Sequence, residues 1–359
     1  MARGHPVPMR LSGHRKTRFM DAKVFLSNVS LTPFNSFGVA ACARSYSEVR
    51  DIEQLRATLQ SRDPAEPLLI LGGGSNLLLT QDFPGLALHI KFFGARVVGK
   101  DTHATYVEAA AGENWHSFVR WTLDRQFAGL ENLSLIPGTV GATPIQNIGA
   151  YGVEMMDVFQ SLQAVDVADG TVRTFDRAAC NFAYRDSVFK RKLKDRYVIT
   201  SVTFRLPRAA KVHLEYGEVR AELERMGCTA AAARDVSDAV CSIRRRKLPD
   251  PAVIGNAGSF FKNPIVDGDV LAHIQARHDK VPHYPAPDGK VKLAAGWLVE
   301  QCGWKGKSLG RAGVHEQHAL VLVNRGGATG AEILALARAI QSSVREKFSI
   351  ELEPEPVIV

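Results

Sequence analysis

Apolar spacing divides the chain into a mixed first part and a more helical second part. Val49, Ile52, Leu55 and Leu59 recur at helical spacing after Ser47, which predicts a helix capped by that serine. Pro64 and Pro67 mark a loop before the apolar strand Leu68–Leu71. Thr105–Ala110 reads as a strand, and Glu113–Phe127, with Trp115, Phe118, Val119 and Thr122, as a helix. Leu162–Ala168 and Thr171–Phe175 flank Asp169-Gly170, a hairpin signal, and Tyr197–Leu206 is again β-rich.

Beyond Pro207 helical patterns dominate. Glu218–Met226 ends at Gly227, and Asp235 is placed to cap a helix that runs into Arg244–Lys247 and stops before Pro249. Lys292–Cys302 reads as a helix ending at Gly303. Thr329 and Glu332 form a capping box ahead of Ile333, Leu336, Ile340 and Val344. The sequence ends in a short strand-like stretch. The expectation is an α+β protein with a boundary near Pro207.

Composition adds exclusions. No apolar run reaches membrane-spanning length, so no membrane insertion is expected. Five scattered cysteines without a C-x-x-C argue against a disulfide framework or a metal site, and for a reducing, cytoplasmic compartment. The formal charge of +8 invites a nucleic-acid reading, but Arg3, Arg10, Arg15, Lys16 and Arg18 supply five of those charges, leaving +3. Residues 1–28 are expected to be a disordered basic extension, or partly to precede a true start at Met9 or Met20. They lack the apolar core of a secretory signal.

Two stretches carry candidate chemistry. Gly72-Gly73-Gly74-Ser75-Asn76 follows a buried strand, and its glycines let backbone N–H groups converge on an anion. A bare triple glycine is more often a tight turn, and the helix of a Rossmann fingerprint is missing after it. The run from Asn132 to Val153 has no charged residue, two prolines and no periodicity. Backbone so irregular and apolar must find partners for its polar groups, either in an interdomain contact or in a large phosphate-bearing heterocycle.

The motifs N-S-F-G-V-A-A (35–41), L-G-G-G-S-N-L-L-L (71–79), G-L-E-N-L-S-L-I-P-G-T-V-G-A-T-P-I-Q-N-I-G-A-Y-G-V-E (129–154), Y-R-D-S (184–187), K-L-P-D-P (247–251), G-N-A-G-S-F-F-K-N-P (255–264) and L-E-P-E (352–355) occur in order. Together they resemble the UDP-N-acetylenolpyruvoylglucosamine reductase family, in its longer type with a substrate-loop tyrosine. The resemblance implies an FAD-binding module of the vanillyl-alcohol-oxidase (PCMH) type over residues 29–207, with subdomains at about 29–90 and 91–207. A C-terminal α+β substrate-binding domain over 208–359 would send its last strand back to the active site. FAD would be non-covalent, held by Gly72, Gly73, Gly74, Ser75, Asn76, Leu77, Pro137, Gly138, Gly141, Ala142, Gln146 and Ala150. NADPH and UDP-N-acetylglucosamine enolpyruvate would alternate in one site of a monomer.

The same resemblance assigns Arg185 to stabilising the substrate carboxylate and enolate, Ser259 to donating a proton, and Glu355 to assisting. Arginine suits its part because its planar fork grips a carboxylate twice and stays charged. From spacing alone, Arg185 reads as one half of a surface ion pair, Ser259 as a turn residue, and Glu351, Glu353 and Glu355 as a solvated acidic edge. Pro356 departs from the extended strand that follows this glutamate in the family. Tyr216, Lys247, Asn263 and Lys305 match substrate contacts. Arg244–Arg246 read as charges complementing a helix dipole, and His318 as a satisfied core histidine. A sugar or alcohol oxidase on the same scaffold would often tether FAD through a histidine in the glycine loop, and residues 71–79 contain none. A nucleic-acid binder rests on net charge alone.

Overall fold

A computed structural model describes residues 25–209 and 211–359. Most of the basic extension expected over 1–28 lies outside the described residues, but its end does not. Leu26–Ser30 is a strand paired antiparallel with Cys42–Val49, because Val29 packs against the apolar core beneath it. The first sheet continues in parallel through Phe83–Ile90 to Leu68–Leu71. The expected helix after Ser47 begins later. Ser47 and Val49 belong to the central strand, and Asp51 caps the helix Ile52–Ser61 by accepting the Gln54 N–H at 2.8 Å. Val49 therefore packs from a strand against Leu55 and Leu59 of that helix.

The second sheet is antiparallel, in the order Val172–Asp176, Phe159–Asp166, Tyr197–Pro207, Ala104–Ala110, Ala95–Lys100. The Asp169-Gly170 hairpin forms as expected. The helix expected over 113–127 spans Trp115–Asp124, capped by Asn114 and ended before Gln126 at φ +60°. Its Trp115 and Phe118 close on Phe204 of the sheet at centroid distances of 5.8 and 5.2 Å.

Beyond the second sheet, helices Gly217–Arg225 and Ala233–Lys247 pack on each other. Asp235 sits three residues into the second helix, where its carboxylate accepts the Ala232 N–H rather than serving as the cap residue. A four-stranded sheet follows in the order Gly255–Ser259, Val321–Asn324, Ala312–Val314, Ser308–Leu309, backed by the helix Gly330–Phe348 with its Thr329–Glu332 capping box. The segment read as one helix from Lys292 is two elements. Val291–Leu293 pairs with strands on both sides, which uses its alternation, and the helix spans only Ala295–Gln301.

One apolar core runs from Leu31–Ala87 of the first sheet into residues 257–352, so the first subdomain and the C-terminal part bury a single face against each other. The final stretch completes that union. Glu355 N–H bonds to the Phe260 carbonyl at 2.8 Å, and Val357–Ile358 pairs in parallel with Leu77–Leu78 beside the glycine loop. Pro356 is tolerated at the join, where it has no N–H to offer.

Candidate active site

A cavity of about 190 Å³ lies where the glycine loop, the charge-free run, the Gly255–Ser259 strand and the final stretch meet. It gathers Ser75, Asn76, Arg185, Ser259, Asn263 and Glu355, with Asn76 and Glu355 lying 279 residues apart in the chain. Ser259 ends a strand with a register shift after Asn256, and Gly258 at φ +72° makes the bulge. Asn263 spends its carboxamide oxygen on the Ala295 N–H at 2.9 Å, which anchors it and leaves its amide nitrogen for the cavity. A larger depression of about 630 Å³, lined by Glu48, Arg50, Lys91 and Phe93, is open to solvent and shares no residue with this one.

Charge concentrates on one pair. Arg185 Nε donates to Glu355 Oε1 at 3.2 Å, and its Nη2 donates to the Gly149 carbonyl at 2.7 Å. The side chains keep only 19% and 16% of their surface, so they form a largely desolvated pair rather than a surface bridge. Arg185 adopts φ +53°, a left-handed backbone that costs a non-glycine residue about 1 kcal/mol and is held here by the tight turn Ala183–Asp186. Burial pushes the Glu355 carboxyl above the ordinary carboxylate range, while Arg185, Lys190 and Lys262 pull the other way. Burial likewise lowers the Lys190 and Lys292 ammonium groups, and Lys292 lies 4.6 Å from the ring of Tyr184, which also lines the cavity.

The residues named for the cofactor, Gly74 apart, divide into three groups. Ser75, Asn76, Pro137 and Gln146 line the cavity, with the Asn76 amide donating to Gln146 and, at 3.2 Å, to the Glu355 carbonyl. Gly72, Gly73 and Gly138 bring the two loops together: a Cβ at Gly73 would sit 3.1 Å from the Gly138 Cα. Leu77 and Gly141 are buried in packing, while Ala142 and Ala150 line no part of the cavity. The backbone N–H groups of Gly73, Gly74, Ser75 and Asn76 donate to no described residue. Amides without a partner among the described residues, on a loop turned by Gly74 at φ +60°, suit an anion such as the diphosphate of FAD.

The outer residues stand apart. Lys247 pairs with Glu218, and Lys305 with Glu300 at 2.9 Å; neither lines the cavity. Tyr216 is 39% exposed and meets Tyr151 edge-on at 5.5 Å, and its hydroxyl is pushed up to about 12 by burial and by Tyr284. His318 Nδ1 accepts the Leu320 N–H at 3.3 Å, and burial, followed by the nearby Lys247, lowers its imidazole below the ordinary histidine range.

Arg244 is the residue that sequence reasoning missed. It is not a charge complementing the helix end: it lines the cavity and donates from Nε to the Leu135 carbonyl at 3.1 Å, deep enough for burial to depress it. The available signal was its spacing from Val240 and Cys241, which puts it on the buried stripe of its helix while Arg245 and Arg246 point outward.

Residues 43–176 match the family description "FAD binding domain", and residues 250–359 match "UDP-N-acetylenolpyruvoylglucosamine reductase, C-terminal domain". The chain is 57% identical over 332 residues to the UDP-N-acetylenolpyruvoylglucosamine reductase of Burkholderia lata, covering 91% of this chain and 95% of that one. It is 55% identical to the enzyme of that name from Pseudomonas aeruginosa, covering 91% and 96%. The crystal structure of the Thermus caldophilus enzyme shares the fold at a TM-score of 0.65 and 22% identity, over 93% of this chain and 99% of that one. With an FAD binding domain matched ahead of this C-terminal domain and relatives at 55–57% identity over 91% of its length, the chain belongs to the UDP-N-acetylenolpyruvoylglucosamine reductase family of oxidoreductases.

Proposed function

We propose that this chain reduces the enolpyruvyl ether of UDP-N-acetylglucosamine to UDP-N-acetylmuramate, a step in peptidoglycan precursor synthesis, at the expense of NADPH. The observation that carries the proposal is the convergence of Arg185, Glu355 and Ser259 on one cavity beside a loop of unpartnered amides. FAD, which Ser75, Asn76, Pro137 and Gln146 would hold, would supply the hydride chemistry between NADPH and the enolpyruvyl substrate.

The chain's own residues handle the charge and the proton. As the β-carbon gains its hydride, the alkene π electrons move onto the α-carbon and its carboxylate. Arg185 would hold that growing negative charge, and a fixed cation in a largely desolvated site does so without reorganising. Ser259 donates its hydroxyl proton to the α-carbon. An enolate dianion is basic enough to take it, and Arg185, which lines the same cavity, is a cation available to stabilise the alkoxide until solvent reprotonates it. Glu355, held towards its protonated form by burial, can hydrogen-bond the enolate or return a proton to Ser259. Asn263 positions the diphosphate side of the substrate, and Tyr216, Lys247 and Lys305 close over it by leaving their surface partners.

Anaerobic titration tests the reading. NADPH should bleach the yellow protein, and one equivalent of the enolpyruvyl substrate should restore the colour with formation of UDP-N-acetylmuramate. Bleaching without restoration would refute the substrate assignment. Acid precipitation should release all the yellow colour, since the flavin is not tethered.

A further inference from the structure

The segment Leu31–Val39 touches no part of the cavity, yet it carries one of the motifs shared with the family. Asn35 locks it from within. The Asn35 amide donates to the Leu31 and Val39 carbonyls at 2.9 and 3.0 Å, while its oxygen accepts the Val39 N–H at 3.0 Å. The side chain is only 6% exposed, so all three bonds are shielded from water.

The locked turn then reaches in two directions. Towards the cofactor loop, Ser36 N–H donates to the Gly74 carbonyl at 3.0 Å, and Gly74 lies so close that a Cβ there would overlap the Phe34 carbonyl. Towards the proton-donor strand, the Ser36 carbonyl accepts the Asn256 N–H at 3.0 Å, and the Phe37 carbonyl accepts from Asn324 Nδ2 at 3.0 Å. Gly255 is seated against the Phe37 carbonyl in the same way as Gly74 against Phe34. Asn256 passes the constraint on: its Oδ1 accepts the Gly258 N–H at 2.9 Å, shaping the bulge that ends at Ser259. A short line of hydrogen bonds thus joins Gly74 to the residue before Ser259 through Ser36 and Asn256.

We infer that the Asn35-locked turn is a strut that sets the spacing between the cofactor loop and the strand carrying Ser259, making Asn35, Asn256 and Asn324 positioning residues for the protonation step. The inference rests on the proposed function above. A strut of this kind matters to catalysis because hydride and proton must reach adjacent carbons from two different parts of the fold, and displacement by about 1 Å can cost up to about 10²-fold in rate.

The test compares the two half-reactions of the FAD-loaded protein by stopped-flow absorbance, with flavin affinity measured by fluorescence on reconstituting apoprotein. Asn324→Ser removes the donor to Phe37 on the strand side. It should leave flavin affinity and NADPH reduction within about twofold of the parent, while reoxidation by the enolpyruvyl substrate slows about tenfold and its rate becomes more sensitive to D₂O. Asn35→Ser loosens both ends and should also weaken FAD binding. If Asn35→Ser does not fold, Asn324→Ser decides alone. Parallel loss of both half-reactions, or loss of thermal stability with an unchanged ratio, would reduce these contacts to ordinary packing and overturn the strut. Ser259→Ala is run alongside. Normal reoxidation in that variant would defeat the proton-donor reading itself. Blocked reoxidation there, with an unchanged ratio in Asn324→Ser, would defeat the strut alone.

Discussion

The inner and outer parts of the candidate site are built differently. Inside, Arg185, Glu355 and Ser259 are fixed by backbone contacts: a left-handed turn, a β-bridge and a bulged strand. Outside, Lys247 and Lys305 rest on the exposed acids Glu218 and Glu300, and Tyr216 rests edge-on against Tyr151. An exposed ion pair is worth about 0–1 kcal/mol, so exchanging it for a substrate diphosphate costs little. The inner groups have no such freedom. On the proposed function, the site is therefore rigid where bonds would change and adaptable where the nucleotide would be gripped.

Substitutions separate the two regimes, beginning with the largest effect. Arg185→Lys keeps the charge but loses the fork that spans Glu355 and Gly149, so substrate-dependent reoxidation should fall by about 10²–10³ while NADPH reduction changes only a few-fold. Equal losses in both half-reactions would mean that Arg185 acts on the cofactor. Gly74→Val places a branched side chain at φ +60° against the Phe34 carbonyl. Flavin affinity should drop by about 10²-fold, with the purified protein colourless; a yellow protein would show that the loop is less rigid than described. Lys247→Ala should raise the KM for the UDP-sugar by up to about tenfold at unchanged kcat and weaken its salt dependence, and should leave thermal stability intact. A fall in kcat would move Lys247 into the inner group.

The smallest effect is on stability. Glu355 has a folded-state pKa above its unfolded value, so the folded protein holds that proton more tightly. Its stabilising contribution is complete below the ordinary carboxylate range and is lost as pH rises through the raised pKa. Compared with Glu355→Gln, the parent should therefore lose Tm as pH rises from the ordinary carboxylate range, about 4, towards neutrality. A parent that gains Tm relative to the variant would mean that Arg185 outweighs burial.

Inner and outer site residues alike were legible only through the family resemblance, because spacing alone reads Arg185 as half of a surface ion pair, Ser259 as a turn residue and Glu355 as part of a solvated edge. Hairpin and capping-box signals named their elements correctly because turn chemistry is local. Ser47 misled because apolar spacing does not distinguish a strand end from a helix start when Asp51 four residues later is the better cap. Arg244 was lost among three neighbouring basic residues, since only the helix's packed face shows which of them turns inward. The strut was invisible: Asn35 acts through main-chain carbonyls, and no pattern in a single sequence reports which distant backbone a turn will seat against.

The proton source is the central claim, and single-turnover reoxidation of Ser259→Ala measures it most directly. The account predicts that NADPH reduces the flavin of this variant at close to the parent rate, and that the enolpyruvyl substrate then fails to reoxidise it. Reoxidation at the parent rate, with UDP-N-acetylmuramate formed, would contradict the account.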